Sequence, residues 1–400
     1  MKEGLNKTNE AKETKRWQVL LGGVLMQLCI GGIYTWSLFN QPLVDAYGWA
    51  RTEVYTAYSL IVFIFALVTI FSGRLQDKIG PRIVGTIGIL LFSTGLIVAS
   101  FARSLPVLYL GYSVLGGLGV GMVYVCPLST SLKWYPKKKG MVTGIIVGAF
   151  GLGGFVFNFV LSYLIQEIGV SQTFLVQGIV YAVVGLIGAQ MLRVPEKTDS
   201  TQHVLVNEND FQPKQMMKTK AFYLLWIIYF IGSLSGLVVI GLAQDIARDV
   251  VGLSPQVAGY SIAVAAVANA LGRIGWGAVS DIYGRLRVFS LLFLITALSM
   301  LTLSLWTNQA YFYFVLLVLI VSSFGGFLAT FPAITSDYFG SYYFGSNYGL
   351  IYQAYGLASL AGPFLLGLTS QDTQAFLIAS ILSVGGLVLT LFVRPPKTAY

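Results

Sequence analysis

Charged residues are scarce in this 400-residue chain: 10% are Asp, Glu, Lys or Arg, while 56% are hydrophobic. A soluble domain is about 25% charged and about 45–50% apolar, so the composition indicates a chain embedded in lipid. The formal net charge is +9, but most cations lie in short stretches between apolar runs. Such placement is typical of orientation signals in membrane proteins, and nucleic acid is therefore not expected as a partner.

Histidine and cysteine are almost absent. The lone histidine, His203, lies in a polar stretch, and the two cysteines, Cys29 and Cys126, lie inside apolar runs. Both cysteines are expected to be small buried hydrophobic residues rather than metal ligands or a disulfide. The chain has no HExxH motif, no G-x4-G-K-[ST] nucleotide loop and no nucleophile with an identifiable base. The sequence therefore predicts no enzyme activity, no metal site and no cofactor.

Long apolar runs make up most of the chain. Twelve of them have roughly the 20 residues that are needed to cross a bilayer, and runs of this length indicate helices. The predicted segments are 17–40, 53–72, 83–102, 106–132, 141–165, 172–192, 221–244, 256–279, 288–306, 311–335, 346–369 and 374–393.

The cations predict the orientation of these segments. With the N-terminus in the cytoplasm, twenty-one Lys and Arg residues fall on the inner side and three on the outer side. The positive-inside rule then places both termini in the cytoplasm. We predict an all-α membrane protein in which the longest polar interruption separates two six-helix halves. The expected parts are an N-terminal tail (1–16), a first half (17–193), a cytoplasmic linker (194–220), a second half (221–394) and a C-terminal tail (395–400).

The two halves resemble each other at an offset of about 205 residues. The matches are 127–131 (PLSTS) with 332–336 (PAITS), 149–152 (AFGL) with 354–357 (AYGL), and 73–80 with 277–284. Repeated halves with a binding site at their interface are typical of secondary transporters.

The third match is a loop signature that occurs twice. Its residues are Gly73, Asp77 and Arg82 in the first half, and Gly277, Asp281 and Arg285 in the second. A glycine lets two helices approach, and an aspartate at the membrane edge can cap a helix and pair with the loop arginine. The repeated signature resembles that of the major facilitator superfamily, which implies a gating role on the cytoplasmic side. A generic cation-rich loop is the alternative.

Glycines also form a stripe at helical spacing in the fifth segment. They include Gly140, Gly144, Gly148 and Gly151. Small residues at this spacing favour close helix contact in lipid, and a sliding surface between moving helices is compatible with the same pattern.

Arg273 is a charged residue inside a predicted membrane segment. An arginine at that depth costs about 2.5–3.5 kcal/mol on insertion scales, so it is expected to face a cavity or a partner. No carboxylate lies at a similar depth, and Asn269, one turn earlier, can only donate or accept hydrogen bonds. We therefore predict that Arg273 binds an anion. The alternative is a side chain that extends along roughly 9–10 Å of helix to the cytoplasmic interface.

Aromatic residues inside the predicted segments are further candidates for this site. They are Tyr34, Trp36, Tyr124, Tyr352 and Tyr355. A tyrosine in the middle of a membrane needs a partner for its hydroxyl, and a group of tyrosines would suit a small carboxylate. Packing alone is the alternative for each of them.

Several motifs resemble the bacterial oxalate/formate antiporter family over essentially the whole chain. They are GGIYTWSLF at 31–39, KWYPKKKG at 133–140, NALGR at 269–273 and NYG at 347–349. The branch that includes bacterial pyruvate transporters is especially similar, through YTWSLFN at 34–40 and GLVVIG at 236–241. This resemblance implies the major facilitator fold, with Arg273 holding a substrate carboxylate in a central cavity. The implied lining residues are Tyr34, Trp36, Tyr124 and Tyr352.

One position departs from the family. Oxalate-exchanging members have a lysine in the eleventh segment where this chain has Tyr355, which argues against oxalate here. We expect a monomeric transporter of small monocarboxylates (pyruvate, lactate or formate) in the cytoplasmic membrane, working by alternating access. A dicarboxylate antiporter and a carboxylate sensor without transport are the alternatives.

The coupling of transport stays open between proton symport and anion exchange. The acids Asp77, Asp245, Asp281 and Asp337 fall at segment ends, and none lies mid-membrane. Protons, if they are coupled, are expected to travel with the substrate or through a terminal aspartate such as Asp337.

Overall fold

Helices form nearly all of the structure. The computed structural model describes residues 2–135, 139–195, 210–305, 310–340, 343–368 and 372–396. The helices are α1 (Lys2–Gly31), α2 (Ser37–Tyr47), α3 (Arg51–Ile79), α4 (Pro81–Ser100), α5 (Leu105–Leu108), α6 (Gly116–Trp134), α7 (Lys139–Met191), α8 (Pro213–Met216), α9 (Lys220–Gly241), α10 (Ala243–Asp245), α11 (Pro255–Tyr283), α12 (Arg285–Leu305), α13 (Ala310–Phe339), α14 (Phe344–Leu368) and α15 (Asp372–Thr390).

Ten helices in the described ranges are long and apolar enough to cross a membrane. One of them, α7, has 53 residues and kinks at Gly169, whose φ of 76° and ψ of 170° are not helical. Glycine adopts this φ without the steric cost that a side chain would add, and the kink separates the predicted segments 141–165 and 172–192. The predicted segment 346–369 coincides with α14, which is not among the ten. Twelve crossings and cytoplasmic termini stay predictions.

The first helix of each predicted half is interrupted. Between α1 and α2 the chain forms a short 3-10 turn at Gly32–Thr35, and between α9 and α10 it leaves helical geometry at Leu242 (φ −121°, ψ 12°). A Cβ at Gly31 would collide with the Phe150 carbonyl, and one at Gly32 with the Tyr181 hydroxyl. Glycine avoids both collisions, and the turn places the buried Tyr34 at the centre of the molecule.

Helices of the two predicted halves lie directly against each other. A Cβ built on Gly154 of α7 would lie 3.2 Å from Ala266 of α11, and one on Gly356 of α14 would lie 2.6 Å from Ala66 of α3. The pairs α7/α11 and α3/α14 therefore form the interface on which the site is built.

The end of the predicted linker is ordered against the second half. Residues 196–209 lie outside the described ranges, whereas 213–216 form α8. The Phe211 amide donates to the Phe339 carbonyl at 3.0 Å, and Asn347 Nδ2 donates to the Phe211 carbonyl at 2.8 Å. The last ten residues of the linker thus pack as part of the second half.

Candidate functional site

Arg273 lies on α11 and is 5% exposed. Its Nε donates to Asn269 Oδ1 at 2.8 Å, Nη1 to the Val147 carbonyl at 3.1 Å, and Nη2 to the Tyr34 hydroxyl at 3.3 Å. Its guanidinium carbon lies 5.6 Å from the centre of the Phe150 ring, within the range of a cation–π contact. Since three of these four neighbours belong to the first half, the side chain points across the interface and not towards the end of its own helix.

The guanidinium has no charged partner in the part of the chain that the structure describes. Its three acceptors are an amide oxygen, a backbone carbonyl and a hydroxyl, all neutral. Asn269 Nδ2 and the Tyr355 hydroxyl are buried and make no hydrogen bond to any described residue. A buried donor without an acceptor costs about 1–3 kcal/mol. An anion with several oxygen atoms would balance the charge and offer acceptors to such donors.

Four of the predicted tyrosines surround this arginine. Tyr34 hydrogen-bonds to it, while Tyr124 and Tyr352 stack with ring centres 6.3 Å apart. Tyr352 also stacks on Tyr355 at 4.9 Å, and the ring of Phe65 meets Tyr124 edge-on at 5.1 Å and Tyr355 at 6.2 Å. These rings come from α3, α6 and α14 as well as the turn after α1, so both halves contribute to the cluster.

Trp36 lies apart from this cluster. Its ring centre is 4.2 Å from that of Tyr112, and it stacks on Phe39 and Phe174 inside the first half. The indole Nε1 is buried and makes no hydrogen bond with a described residue. The alternation of side chains through the turn directs Tyr34 to the interface and Trp36 away from it, so we leave Trp36 out of the site proposed below.

One cavity beside the arginine is small. A narrow cavity beside Tyr34 and Asn269, lined also by Ile240, Ile262 and Ala266, has room for about one water molecule. A three-carbon acid is larger than this cavity.

The interface is not equally close along α7 and α11. A Cβ on Gly154 or Gly151 would lie 3.2 or 3.5 Å from α11, whereas one on Gly148 or Gly144 would have no described atom within 4 Å. The expectation of close helix contact is therefore wrong at Gly144 and Gly148. The surroundings of Gly140 lie outside the part of the chain that the structure describes. The two helices diverge towards the Lys139 end of α7, which opens a gap next to Arg273.

At the opposite end, which we call the Asn40 end, polar side chains join the halves. Asn40 Nδ2 donates to Asp245 Oδ2 at 2.6 Å and to the Gly241 carbonyl at 3.0 Å. Arg248 Nη2 donates to Gln41 Oε1 at 3.0 Å. This end is predicted to be the outer one, and the halves are closed there.

Sequence reasoning did not single out Asn40 or Phe150, although the repeat contained a signal for them. Asn40 and Asp245 are separated by 205 residues, the offset of the repeat, and so are Phe150 and Tyr355. Both pairs lie at the interface. Equivalent positions on either side of a pseudo-twofold axis approach each other when they lie near it, so applying the offset to every polar and aromatic residue would have found these pairs.

The loop residues of the second half form a compact ion-pair group. Arg285 pairs with Asp281 and donates to Asp337 at 3.2 Å and to the Ser280 hydroxyl at 2.6 Å. All of these groups belong to the second half. The group therefore fixes α11, α12 and α13 together, and its gating role stays a prediction.

In the corresponding loop of the first half, the arginine bonds to a different helix. Arg82 Nε donates to Gln190 Oε1 at 2.6 Å, and the side chain of Asp77 lies outside the described part of the structure. A Cβ on Gly73 or Gly277 would meet its nearest neighbour at 3.9 or 3.6 Å, an ordinary contact. A close approach of two helices therefore does not explain why glycine occupies these two positions.

Comparison with known proteins identifies the family. The sequence profile of the Major Facilitator Superfamily matches residues 19–242 and 225–400. The chain belongs to this superfamily. An all-helical membrane transporter follows from that membership, and a mutant of the nucleoside transporter NupG has the same fold, with a TM-score of 0.73 over 95% of this chain and 99% of that one at 11% identity.

The relatives confirm the resemblance seen in the sequence. The oxalate:formate antiporter of Oxalobacter formigenes is 30% identical over 95% of this chain and 92% of its own length. An uncharacterised transporter of the same superfamily from Escherichia coli is 30% identical over 86% of both chains. The apicoplast pyruvate carrier 1 of Toxoplasma gondii is 23% identical over 90% of this chain and 85% of its own.

Proposed function

We propose that this protein is a secondary transporter of small monocarboxylates such as pyruvate, lactate or formate. The observation that supports this most strongly is the buried Arg273, which reaches across the interface and has no carboxylate partner among the described residues. A planar guanidinium holds a carboxylate through two parallel hydrogen bonds, which suits it to this substrate class. Relatives named as oxalate, formate and pyruvate carriers support the same class.

The proposed site consists of the arginine, its amide neighbour and the surrounding rings. Its members are Arg273, Asn269, Tyr34, Tyr124, Tyr352, Tyr355, Phe65 and Phe150. Arg273 binds the substrate carboxylate. Asn269 Nδ2 and the Tyr355 hydroxyl donate hydrogen bonds to the remaining acceptor positions of the substrate, and the ring faces contact the methyl group of pyruvate or lactate.

The charge of the site favours a monoanion. Arg273 neutralises one carboxylate, whereas a second buried carboxylate would find only hydroxyl donors such as that of Tyr355. An uncompensated buried charge has an effective desolvation cost of several kcal/mol. Oxalate and other dianions therefore bind weakly, which separates this proposal from a dicarboxylate antiporter.

The proposed mechanism is alternating access in a monomer with no enzymatic activity. The two halves, 17–193 and 221–394, rock about the central site, and the two glycine–aspartate loops gate the cytoplasmic side. The chain crosses the membrane twelve times and has both termini in the cytoplasm. The protein resides in the cytoplasmic membrane of the cell. Transport is driven by a co-transported proton or by the exchange of a second anion.

Uptake of labelled pyruvate into proteoliposomes tests this function. The wild-type protein is expected to show counterflow, and Arg273→Lys to lose most of it, because an ammonium keeps the charge but not the paired hydrogen bonds. Arg103→Lys is the matched control, since Arg103 bonds to Tyr47 far from the site. Wild-type uptake by Arg273→Ala at equal membrane abundance would contradict the proposal. Pyruvate binding without flux would indicate a sensor, and counterflow with oxalate alone would indicate a dicarboxylate antiporter.

A further inference from the structure

Asp245 is a buried acid that the transport mechanism above does not use. It ends α10, just beyond the membrane-spanning helix α9, and is 1% exposed. Asp337, the acid singled out from the sequence as a proton carrier, is 52% exposed at its side chain and pairs with Arg285. Among the aspartates at segment ends whose side chains are described, Asp245 is therefore the one that water reaches least.

The burial of Asp245 depends on the first half. Asn40 covers its Oδ2 from α2 at 2.6 Å, and the neighbouring Gln41 bonds to Arg248. When the halves separate at the Asn40 end, Asn40 leaves and water reaches the carboxyl group. The carboxyl group is thus shielded from water in the closed conformation and hydrated in the open one.

Charged and polar groups face Asp245 from every element that packs on it. Arg248 lies 3.4 Å away and also pairs with Asp249, while Arg51 of α3 also attracts the carboxylate. Asp45 of α2 bonds to Gln41 and interacts with Arg248. From α13, the Tyr313 hydroxyl donates to the Ala243 carbonyl at 2.6 Å, and α11 has no charged residue before Arg273.

We propose that Asp245 is a proton-binding site whose occupancy controls closure of the Asn40 end: the protonated acid is buried against Asn40, and the ionised one favours separation. This rests on the proposed transport function, since it assigns to protons a control over one of the two conformations that alternate. The neutral acid retains the hydrogen bond from Asn40 but removes the cost of a charge in a dry interface.

The electrostatics give the sign of the effect. Burial raises the pKa of Asp245 from 3.8 to about 6, although Arg51, the hydrogen bond from Asn40 and Arg248 act in the opposite direction. The closed conformation therefore binds the proton more readily than an open one in which the group is hydrated. By linkage, the contribution to closure is complete below about pH 4 and is lost as the pH rises through about 6. The closure equilibrium changes about a hundredfold across this window.

Distance measurements between spin labels test the proposal without substrate. The labels are attached at Ser104→Cys and Gln256→Cys, two exposed positions near the Asn40 end on different halves, in a background with the buried Cys29 and Cys126 replaced by alanine. In proteoliposomes the short-distance population should fall as the pH rises from 4 to 6.5 and stay constant above 7. Asp245→Asn, which mimics the protonated acid, should keep the short distance at every pH.

Two controls make the result specific. Asp249→Asn should keep the pH response and move it only slightly to lower pH, because Asp249 is exposed and is the weakest of the groups that act on Asp245. Asn40→Asp should move the response to higher pH, because two carboxyl groups in contact cannot both be ionised at low cost. A pH-independent wild type, a response that persists in Asp245→Asn, or a response that Asn40→Asp does not move would overturn the proposal. Failure of the monocarboxylate proposal would appear in pyruvate counterflow and leave these distances unaffected.

Discussion

The interface between the halves contains a buried ionisable group at two places, and the surroundings of the two groups differ. Arg273, at the centre, donates only to neutral oxygens. Asp245, at the Asn40 end, accepts a hydrogen bond from the opposite half and lies near Arg248. A buried charge without a counter-charge is unfavourable until a ligand supplies one, whereas a protonated carboxyl group that accepts a hydrogen bond across an interface joins two surfaces without that cost. The centre is thus suited to binding, and the end is suited to closing.

Locking the Asn40 end should have the largest effect. Gln41→Cys with Arg248→Cys places two thiols where the native side chains bond at 3.0 Å. A short bifunctional methanethiosulfonate should join them and stop pyruvate counterflow, because the halves can no longer separate at that end. Binding from the opposite side, measured with purified protein, should persist.

Reduction and single variants control this experiment. Adding a reducing agent should restore counterflow, and each single cysteine treated in the same way should keep its activity. Continued turnover of the linked protein would show that the end does not open during transport, and rocking of the two halves would then be the wrong mechanism.

Giving the central charge a partner should have the next largest effect. Asn269→Asp puts a carboxylate where Arg273 Nε already donates at 2.8 Å. The internal ion pair should weaken pyruvate binding about a hundredfold, which corresponds to about 2.7 kcal/mol, because the guanidinium no longer lacks a counter-charge. Titration calorimetry on the purified protein measures this change.

Gln190→Glu makes the same chemical change at the surface. Arg82 Nε donates to Gln190 Oε1 at 2.6 Å, so the substitution also converts an arginine–amide bond into an ion pair. Pyruvate affinity should not change in this variant. Equal affinity in wild type and Asn269→Asp would mean that the free charge of Arg273 is not what attracts the substrate.

The sequence was sufficient to predict the all-helical membrane architecture and to single out most of the residues of the proposed site. Arg273 stands out because a lone cation in an apolar helix is costly, and the four tyrosines because a buried hydroxyl needs a partner. These are properties of single residues and of spacing along one helix. The structure brings Arg273 and the tyrosines to one place, as that reasoning predicted.

Features that depend on how helices pack could not be predicted in this way. Trp36 and Tyr34 are two residues apart, yet the short turn at Gly32–Thr35 directs them to different sides. The hydrophobic pattern of a continuous helix does not predict this interruption. Asp245 falls at a segment end, so its burial becomes visible only once Asn40 covers it. The open space beside Gly144 and Gly148 likewise becomes visible only in the packed structure.

Adding a second cation to the centre should increase the preference for oxalate relative to pyruvate by about tenfold. Tyr355→Lys places an ammonium among the rings, and one further cation can neutralise the second carboxylate of oxalate. Unlabelled oxalate should then compete better against labelled pyruvate than it does in the wild type. Tyr355→Phe is the control, because it removes the hydroxyl without adding charge and should leave oxalate weak. Strong competition by oxalate in the wild type would show that the number of buried cations does not set selectivity.

The last comparison concerns two neighbouring aromatic residues and tests which of them faces the site, with Trp36→Phe expected to have the smallest effect. Tyr34→Phe removes the hydroxyl that accepts from Arg273 at 3.3 Å, and a hydrogen bond to a charged group contributes about 1.5–3 kcal/mol. Since this bond is long, we expect the lower end of that range, a roughly tenfold increase in the KM for pyruvate. Trp36→Phe removes an indole Nε1 that has no partner among the described residues, and the smaller ring can still stack on Tyr112. Its KM should stay within about twofold of the wild type. If Trp36→Phe instead raised the KM more than Tyr34→Phe, the indole would have to contact the substrate in another conformation, and Trp36 would return to the site.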